Sequence, residues 1–255
     1  MRRALWWGWS LLVIGFLLAP IAVVVPLSFS TGSFLSFPLP GVGLRWYEAF
    51  FGSDFWMLAL ENSAIIGIAA TIGATLLGTA AAVGLWSARF PGQAAAMAVI
   101  VSPMVVPSII TAVAMTFAFA PLGLANTHAG LIIAHIALAS PFVVVTVLAT
   151  LQQFDGRLMR AAAACGAPPM LAFRRVMLPL ILPGVVAGAL FAFAVSLDES
   201  VVVLFLAGPG QRTLPRQMFA GLKDTIELAI MAAATILVVV STLLMAATLL
   251  LRRRR

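Results

Sequence analysis

The sequence predicts an all-α polytopic membrane protein with six transmembrane helices, on three observations. Hydrophobic residues make up 63% of the 255-residue chain and charged residues only 9%, whereas soluble domains carry about 25% charged residues. Mean hydropathy is +1.13. Apolar runs of about 20 residues, enough to cross a bilayer as helices, recur along the chain and do not alternate as barrel strands would. We expect spans at residues 6–29, 60–87, 95–120, 129–151, 180–206 and 228–251, within one domain covering 1–255.

The first span follows two arginines, as the apolar region of a signal peptide would. Its apolar stretch is long, however, running from Leu11 past Val25. Pro20 and Pro26 also stand where a cleavage site would need small residues. We therefore expect this span to be retained as a transmembrane helix.

The basic residues predict the orientation of the chain. With a cytoplasmic N-terminus, eleven of the fifteen basic residues fall on the cytoplasmic side, as the positive-inside rule requires. Both termini and the segment 152–179 are then cytoplasmic. The C-terminal arginines suit anionic membrane lipid, and without a soluble basic domain we expect no nucleic-acid partner. Counted inside are Arg2, Arg3, Arg89, Arg157, Arg160, Arg174, Arg175 and the arginines at 252–255, and counted outside are Arg45, Arg212, Arg216 and Lys223.

Motifs for catalysis are missing from the sequence. A P-loop requires Gly-Lys-Ser/Thr, and the single lysine, Lys223, follows Leu222. We therefore expect neither an ATPase site nor a resident cofactor in this chain, and there is no Gly-x-Ser-x-Gly elbow. The single cysteine, Cys165, excludes an internal disulfide. His128 and His135 lie near one helical face, but no acidic residue or cysteine is near them in sequence, which favours packing over metal binding.

Small residues and prolines predict how the spans pack. Small residues recur every three to four positions in the second span, which predicts a smooth face for close helix packing. Pro103 and Pro107 in the third span and Pro141 in the fourth each remove a backbone donor and are expected to bend their helices. The bends could serve gating or be purely structural. The small residues are Gly67, Thr71, Ala74, Gly78 and Ala82.

Asp198 and Glu199 are the costly residues of the fifth span. An acid near the bilayer centre costs roughly 2.5–3.5 kcal/mol, so each must meet a partner or water. Adjacent helical residues point about 100° apart, so at most one can face straight into an aqueous pathway, and we favour Asp198. Two interpretations stay open: the acids attract a cationic solute, or they cap a helix break or join helices whatever the solute is.

A basic insert, residues 152–179, separates the fourth and fifth spans. Met159 to Cys165 is alanine-rich and favours a helix. Gly166 permits a turn, and Pro168-Pro169 ends the first helix and starts a second. We expect two short helices at an angle, with a basic face that contacts a partner protein or anionic headgroups. That face comprises Arg157, Arg160, Arg174 and Arg175.

Two separated motifs resemble permease subunits of type I ABC importers. In the cytoplasmic loop of that family, an Ala-Ala pair is followed by Gly four residues after the second Ala, then by Leu-Pro and a further Pro. Here these are Ala161-Ala162, Gly166, Leu178-Pro179 and Pro183. Asn62-Ser63 and the segment from Pro103 to Pro107 are also similar. The second motif resembles spermidine/putrescine-type permeases and comprises Ser196-Leu197-Asp198-Glu199, Ala207-Gly208-Pro209-Gly210 and Thr213-Leu214-Pro215.

The resemblance implies an importer assembly at a bacterial inner membrane. Its other members would be a homologous second permease, two cytoplasmic ATP-binding subunits that hold ATP and Mg, and an extracytoplasmic solute-binding receptor. One position departs from the family, because the residue before the Ala-Ala pair is usually Glu and here is Arg160. The usual ion pair with the ATPase then requires a changed ATPase, or Asp155 as a substitute. The implied coupling residues are Arg157, Arg160, Ala161, Ala162, Gly166, Ala167, Arg174 and Arg175.

The implied function is ATP-driven import of a polyamine, with a phosphonate or another organic solute as the alternative. A secondary transporter is a competing class, but it would show broken helices and an internal repeat of its spans, and we find no convincing repeat. A membrane-embedded enzyme would need a clustered nucleophile or metal site. The charges of the outer loops either contact the receptor or are simply solvated, and they are Arg45, Glu48, Asp54, Arg212, Arg216, Lys223 and Asp224.

Overall fold

The computed structural model describes residues 2–34, 36–88, 90–224 and 228–253, and these residues form twelve α-helices and one isolated β-bridge, between Ser30 and Val42. The all-α class is therefore confirmed. Arg89, Arg254 and Arg255 lie outside the described residues, as do the side chains of Arg2, Arg3, Lys223, Asp224, Arg252 and Arg253. The helices are α1 Arg2–Ser28, α2 Arg45–Phe51, α3 Asp54–Ser87, α4 Gln93–Val105, α5 Ser108–Phe119, α6 His128–Leu151, α7 Arg157–Ala164, α8 Pro169–Ala172, α9 Leu178–Asp198, α10 Val201–Leu206, α11 Leu214–Asp224 and α12 Ala229–Arg253.

Four helical stretches of the described chain are long and apolar enough to cross a membrane. The bent pair α4 and α5 passes the same test when it is counted as one span, which makes five. In α12 the described apolar stretch, Ala229–Leu244, is shorter. A multi-pass architecture is confirmed, whereas six spans and cytoplasmic termini stay predictions. The four stretches are Trp6–Ser28, Asp54–Ser87, His128–Leu151 and Pro169–Asp198.

The third span, predicted at 95–120 with bends at Pro103 and Pro107, is bent so sharply that it divides into two helices. Helices α4 and α5 meet at an angle of 108°. Between them Val106 and Pro107 are extended, with ψ of 132° and 131°. Pro107 supplies no backbone N–H, and its ring disfavours the helical conformation at Val106. Pro103 lies inside α4, and the fold places both prolines next to the bend.

The fifth span, predicted at 180–206, is also interrupted, and the interruption lies at the two acids, where one of the two interpretations of Asp198 and Glu199 expected a helix break. Helix α9 ends at Asp198, Glu199 is extended with ψ of 111°, and α10 begins at Val201. In the other direction, α8 continues through a π-helical segment, Phe173–Met177, into α9. The second helix of the insert is therefore not a separate short helix. It is the first part of a 30-residue helical run, Pro169–Asp198.

The chain forms two compact units, one comprising residues 1–59 and 217–242 and the other residues 60–216 and 243–255. In the first unit the hydroxyl oxygens of Ser28 and Tyr47 lie 2.8 Å apart, and the rings of Phe50 and Trp56 pack at 5.4 Å. Arg45 lies over the Trp46 ring at 5.1 Å, which gives this loop charge a contact within its own unit.

The second unit is built on α6 packed against α9. Its main core cluster includes Val143, Val147 and Leu151 of α6 and Ile181 of α9, all almost fully buried. Helix α3 joins this core through its stripe of small residues. A Cβ at Gly78 would lie 2.7 Å from Cβ of Val143, so the backbones approach as closely as the sequence predicts for a smooth face.

Candidate functional site

Local hydrogen bonds fix helix α7 of the insert at both ends. At its start, the Asp155 carboxylate accepts a 2.9 Å bond from the backbone N–H of Arg157, one of the donors that a first turn leaves free. At its end, Gly166 is left-handed with φ of 81°. Its N–H donates to the carbonyl of Ala163 at 2.9 Å, and the next amide donates to that of Ala162 at 3.0 Å. This is the Schellman motif, and the predicted turn at Gly166 is confirmed.

The inner side of the insert is anchored to the core of the second unit. Phe154, Met159 and Phe173 pack against the main core cluster, and Met177 is buried within it. The ring of Phe154 meets that of Trp86 edge to face at 5.5 Å. Aromatic pairs of this geometry add stabilisation beyond the area they bury. The insert is thus an ordered part of the fold and not a free loop.

The outer side of the insert is exposed and both basic and apolar. Its arginines at 157, 160, 174 and 175 are exposed, as are Ala161 and Gly166, while Ala162 and Ala167 are half-buried. Leu158, Met170 and Leu171 are exposed too, Met170 at 67%. Sequence reasoning missed these three apolar residues. The position of Leu158 beside Met159 could have predicted its exposure, because adjacent residues of a helix point in different directions and only one of the two can face the core.

The two acids of the fifth span occupy different environments. Glu199 lies between α9 and α10, and its carboxylate accepts a 2.8 Å bond from the backbone N–H of Val202. It therefore caps the first turn of α10, as the structural interpretation predicts for one of the acids. Asp198 is the last residue of α9, and its side chain is exposed. Only Asp198 is left exposed for a solute or a partner subunit.

The side chain of Arg216 binds the backbone at the C-terminal end of α10. Its guanidinium donates to the carbonyls of Ala207 at 2.8 Å and Gly208 at 3.0 Å. Partial burial, and to a lesser degree the charge of Arg212, lowers the pKa of Arg216. A carboxylate at the start and a cation at the end of a helix both suit its macrodipole. This loop arginine, predicted to meet a receptor or solvent, is instead engaged within the fold.

Asn62 and Ser63, noted in the sequence only as a family-like pair, organise a polar hub. The Asn62 amide nitrogen donates to the carbonyls of Gly210 and Arg212, both at 3.0 Å. Its amide oxygen lies 2.7 Å from Nε2 of His128. The Ser63 hydroxyl accepts a 2.7 Å bond from the backbone N–H of Leu214. We call these six residues the polar hub. It ties α3 and α6 to the loop that follows α10.

His135 and Pro141, which the sequence also singled out, are both buried residues of helix α6. His135 is buried, with Nδ1 2.7 Å from the Ser196 hydroxyl, as the packing interpretation expects. Among the described residues, no group of three His, Cys, Asp or Glu side chains could hold a metal ion. Pro141 is buried inside α6, which continues through it. Of the three predicted bends, those near Pro103 and Pro107 coincide with the broken span, whereas Pro141 does not interrupt its helix.

A family model decides the relationship of this chain to known proteins. The model for the binding-protein-dependent transport system inner membrane component matches residues 74–255. The chain belongs to this family. It is 32% identical to the spermidine/putrescine transport system permease protein PotC of Haemophilus influenzae, over 87% of this chain and 86% of PotC. It is also 32% identical to the putrescine transport system permease protein PotI of Escherichia coli K12, over 89% and 84%.

A solved structure shares the fold of this permease. It is a bacterial alginate ABC transporter in complex with an alginate pentasaccharide-bound periplasmic protein, with a TM-score of 0.73 and coverage of 99% of this chain and 95% of that one. At 17% identity the likeness shows the fold alone. The resemblance to ABC importer permeases is confirmed. The permease is a multi-pass protein of the bacterial inner membrane. Its membership of this family argues against the secondary-transporter class.

Proposed function

We propose that this permease forms half of the solute pathway of an ATP-driven importer and is moved by a cytoplasmic ATP-binding subunit through the insert. The observation that carries the proposal is the continuous helical run Pro169–Asp198. It is about 45 Å long at 1.5 Å per residue. It joins the insert at one end to the exposed Asp198 carboxylate at the other, so a displacement of the insert reaches the break in the fifth span.

The insert is suited to receive such a displacement. Its helix α7 is capped by Asp155 and closed by Gly166, and Met159 packs it against the core. A helix held in this way moves together with the spans beneath it. The positive-inside rule places it on the cytoplasmic side, where an ATP-binding subunit would dock. Exposed Leu158 and Ala161 offer that subunit an apolar contact.

The assembly that we propose contains four other subunits. They are a homologous second permease, two ATP-binding subunits that hold ATP and Mg, and a receptor that delivers solute on the outer side. Support comes from the family, described as binding-protein-dependent, and from the alginate transporter, solved in complex with a periplasmic protein. Transport then follows alternating access, in which ATP on one side and the loaded receptor on the other favour different states of the pathway.

We propose a polyamine as the solute, because PotC and PotI carry that class of solute in their names. Asp198 supports the choice. Its exposed carboxylate cannot face lipid without a large cost, and a water-filled pathway would let it attract an ammonium group. Glu199, which was grouped with it, has a structural role as a cap whatever solute passes. A phosphonate would be repelled at Asp198.

The experiment compares two substitutions that remove the same charge. Asp198→Asn is expected to lower putrescine uptake by the complete importer in vesicles about tenfold, equivalent to ~1.4 kcal/mol. Glu199→Gln keeps an amide oxygen for the Val202 N–H and is expected to retain most uptake. Receptor affinity for putrescine is measured in parallel. Unchanged uptake in Asp198→Asn would refute the role of Asp198, and wild-type ATPase stimulation by a phosphonate but not by polyamines would refute the proposed solute.

The coupling proposal has a separate test. The tagged permease, purified from its native membrane, is expected to bring an ATP-binding subunit with it, and uptake is expected to stop when ATP is depleted. If uptake instead continues without ATP and collapses with an uncoupler, the permease is not driven by ATP and the proposal fails.

A further inference from the structure

The insert carries charge that nothing within it neutralises. Residues 152–179 contain four arginines and one aspartate and no lysine or glutamate, which gives a net charge of +3. The aspartate, Asp155, is engaged by a backbone N–H as a helix cap. None of the four guanidinium groups forms an ion pair with another described residue, and all four arginines are exposed.

The charges of α7 lie on the side that faces away from the core. Met159 packs against the core cluster, and with 100° between successive helical residues Arg157 and Ala161 point to the opposite side. Arg160 and Leu158 flank them, one on each side. The exposed side of α7 therefore presents two neighbouring arginines, Arg160 and Arg157, beside two apolar residues, Ala161 and Leu158.

Helix stability does not explain why arginines occupy these positions. Arg157 is the first residue of α7 and Arg160 lies in its first turn. The start of a helix carries the positive end of the macrodipole, where a cation is unfavourable and an acid is stabilising. Both residues thus act against the local preference of the helix, and this points to a contact with a group outside the described chain.

We propose that the surface of the ATP-binding subunit that receives α7 is acidic, with carboxylates that pair with Arg157 and Arg160 beside an apolar patch that contacts Leu158 and Ala161. This inference rests on the proposed function and specifies the chemistry of the docking partner. A protein surface suits the mixture of apolar and basic side chains, because interface cores are apolar and charged rims set orientation. Anionic lipid headgroups are the competing occupant, and the experiment separates the two.

The experiment measures the affinity of the ATP-binding subunit, isolated with the wild-type complex, for permeases in nanodiscs of zwitterionic phosphatidylcholine. Three variants are compared with the wild type. Arg160→Glu places an acid in the first turn of α7, where it stabilises the helix, so weaker binding cannot be attributed to unfolding of α7. Arg160→Gln removes one positive charge. Gln153→Glu, at an exposed position outside α7, changes the net charge by the same amount as Arg160→Gln and serves as the matched control.

The expected result is an ordered series. Arg160→Glu weakens binding about tenfold or more because like charges then face each other, Arg160→Gln weakens it about threefold, and Gln153→Glu changes it little. Wild-type affinity falls as NaCl rises from about 50 to about 500 mM, since salt screens exposed charge pairs, and Arg160→Gln shows a smaller fall.

Equal or tighter binding by Arg160→Glu would overturn the inference, because the docking surface would then be neutral or basic. An effect of Arg160 that appears only when anionic phosphatidylglycerol is added would also overturn it, since the arginine would then contact lipid headgroups. These failures differ from a failure of the proposed function, in which the wild-type permease would bind no ATP-binding subunit at all.

Discussion

The polar hub and the insert lie at opposite ends of α6, a 24-residue helix about 36 Å long. The Asn62 and Ser63 side chains of the hub are buried and hydrogen-bonded, whereas the arginines of the insert are exposed. In the hub, Asn62 and Ser63 are almost fully buried and bind groups that follow them by up to 151 residues in sequence. In the insert, hydrogen bonds are local and the arginine side chains are exposed.

This difference separates what the chain fixes by itself from what it leaves for another molecule. Buried polar groups are costly unless they are paired, so the hub must be satisfied within the permease and its loss should affect stability. Hydrogen bonds within the insert fix its backbone conformation but leave its arginine side chains exposed. Changes there should affect association with a partner more than the free energy of unfolding.

Substitution of Asn62 in the polar hub should change stability more than any other substitution proposed for these two regions. Asn62→Leu leaves His128 and two carbonyls without their partner, and we expect it to lower the free energy of unfolding by about 2–3 kcal/mol. Denaturant unfolding of the purified permease in detergent measures this. Gln153→Leu, an exposed amide of the insert, is the control and should change stability by less than about 0.5 kcal/mol. Equal stability of the two variants would contradict the proposed difference between the polar hub and the insert.

An intermediate effect is expected at Gly166, on coupling. Gly166→Val meets no steric obstacle within 4 Å of the added Cβ, but φ of 81° is unfavourable for a side chain by about 1–2 kcal/mol. The last turn of α7 should fray, so that the ATP-binding subunit binds more weakly while denaturant unfolding changes little. Gly166→Asn, which tolerates this conformation, should bind almost normally. Normal binding by Gly166→Val would show that the shape of α7 is not what the partner recognises.

The smallest effect is expected at Asp155, and it separates two roles for that carboxylate. Asp155→Ala removes the cap of α7 and should destabilise this helix by about 1 kcal/mol, measured as faster amide exchange in the first turn. Asp155→Asn retains an oxygen acceptor and should behave like the wild type in both exchange and ATPase binding. If Asn impairs binding as much as Ala does, Asp155 instead supplies the ion pair that Arg160 cannot make.

Helix bounds and turns that depend only on residues close together in sequence were predicted best. The fourth span, predicted at 129–151, is α6 at His128–Leu151, because the length of an apolar run alone defines it. The turn at Gly166 and the helix start at Pro169 also agree with the structure. Both follow from the restricted conformations of glycine and proline.

Features that depend on tertiary contacts or on short extended segments were missed. The prolines predicted a bend in the third span, but not that Val106 and Pro107 would be extended and divide it into two helices, because average hydropathy does not reveal a two-residue break in an apolar run. Asp198 was favoured as the pathway residue, but the role of Glu199 as a cap was not assigned, because only the backbone conformation at Glu199 shows which carboxylate caps α10. The Asn62 contacts lie 148 and 150 residues away in sequence, beyond any local pattern.

Cross-linking from Cys165 shows whether the insert contacts the ATP-binding subunit in the assembled importer. This residue is the single cysteine of the chain, is exposed, and immediately follows α7. With a short thiol-directed photo-cross-linker, we expect a covalent product with the ATP-binding subunit, which Cys165→Ser abolishes. A product with lipid alone, or no product in a complex that still hydrolyses ATP, would contradict the claim that the insert transmits the motion of the ATP-binding subunit.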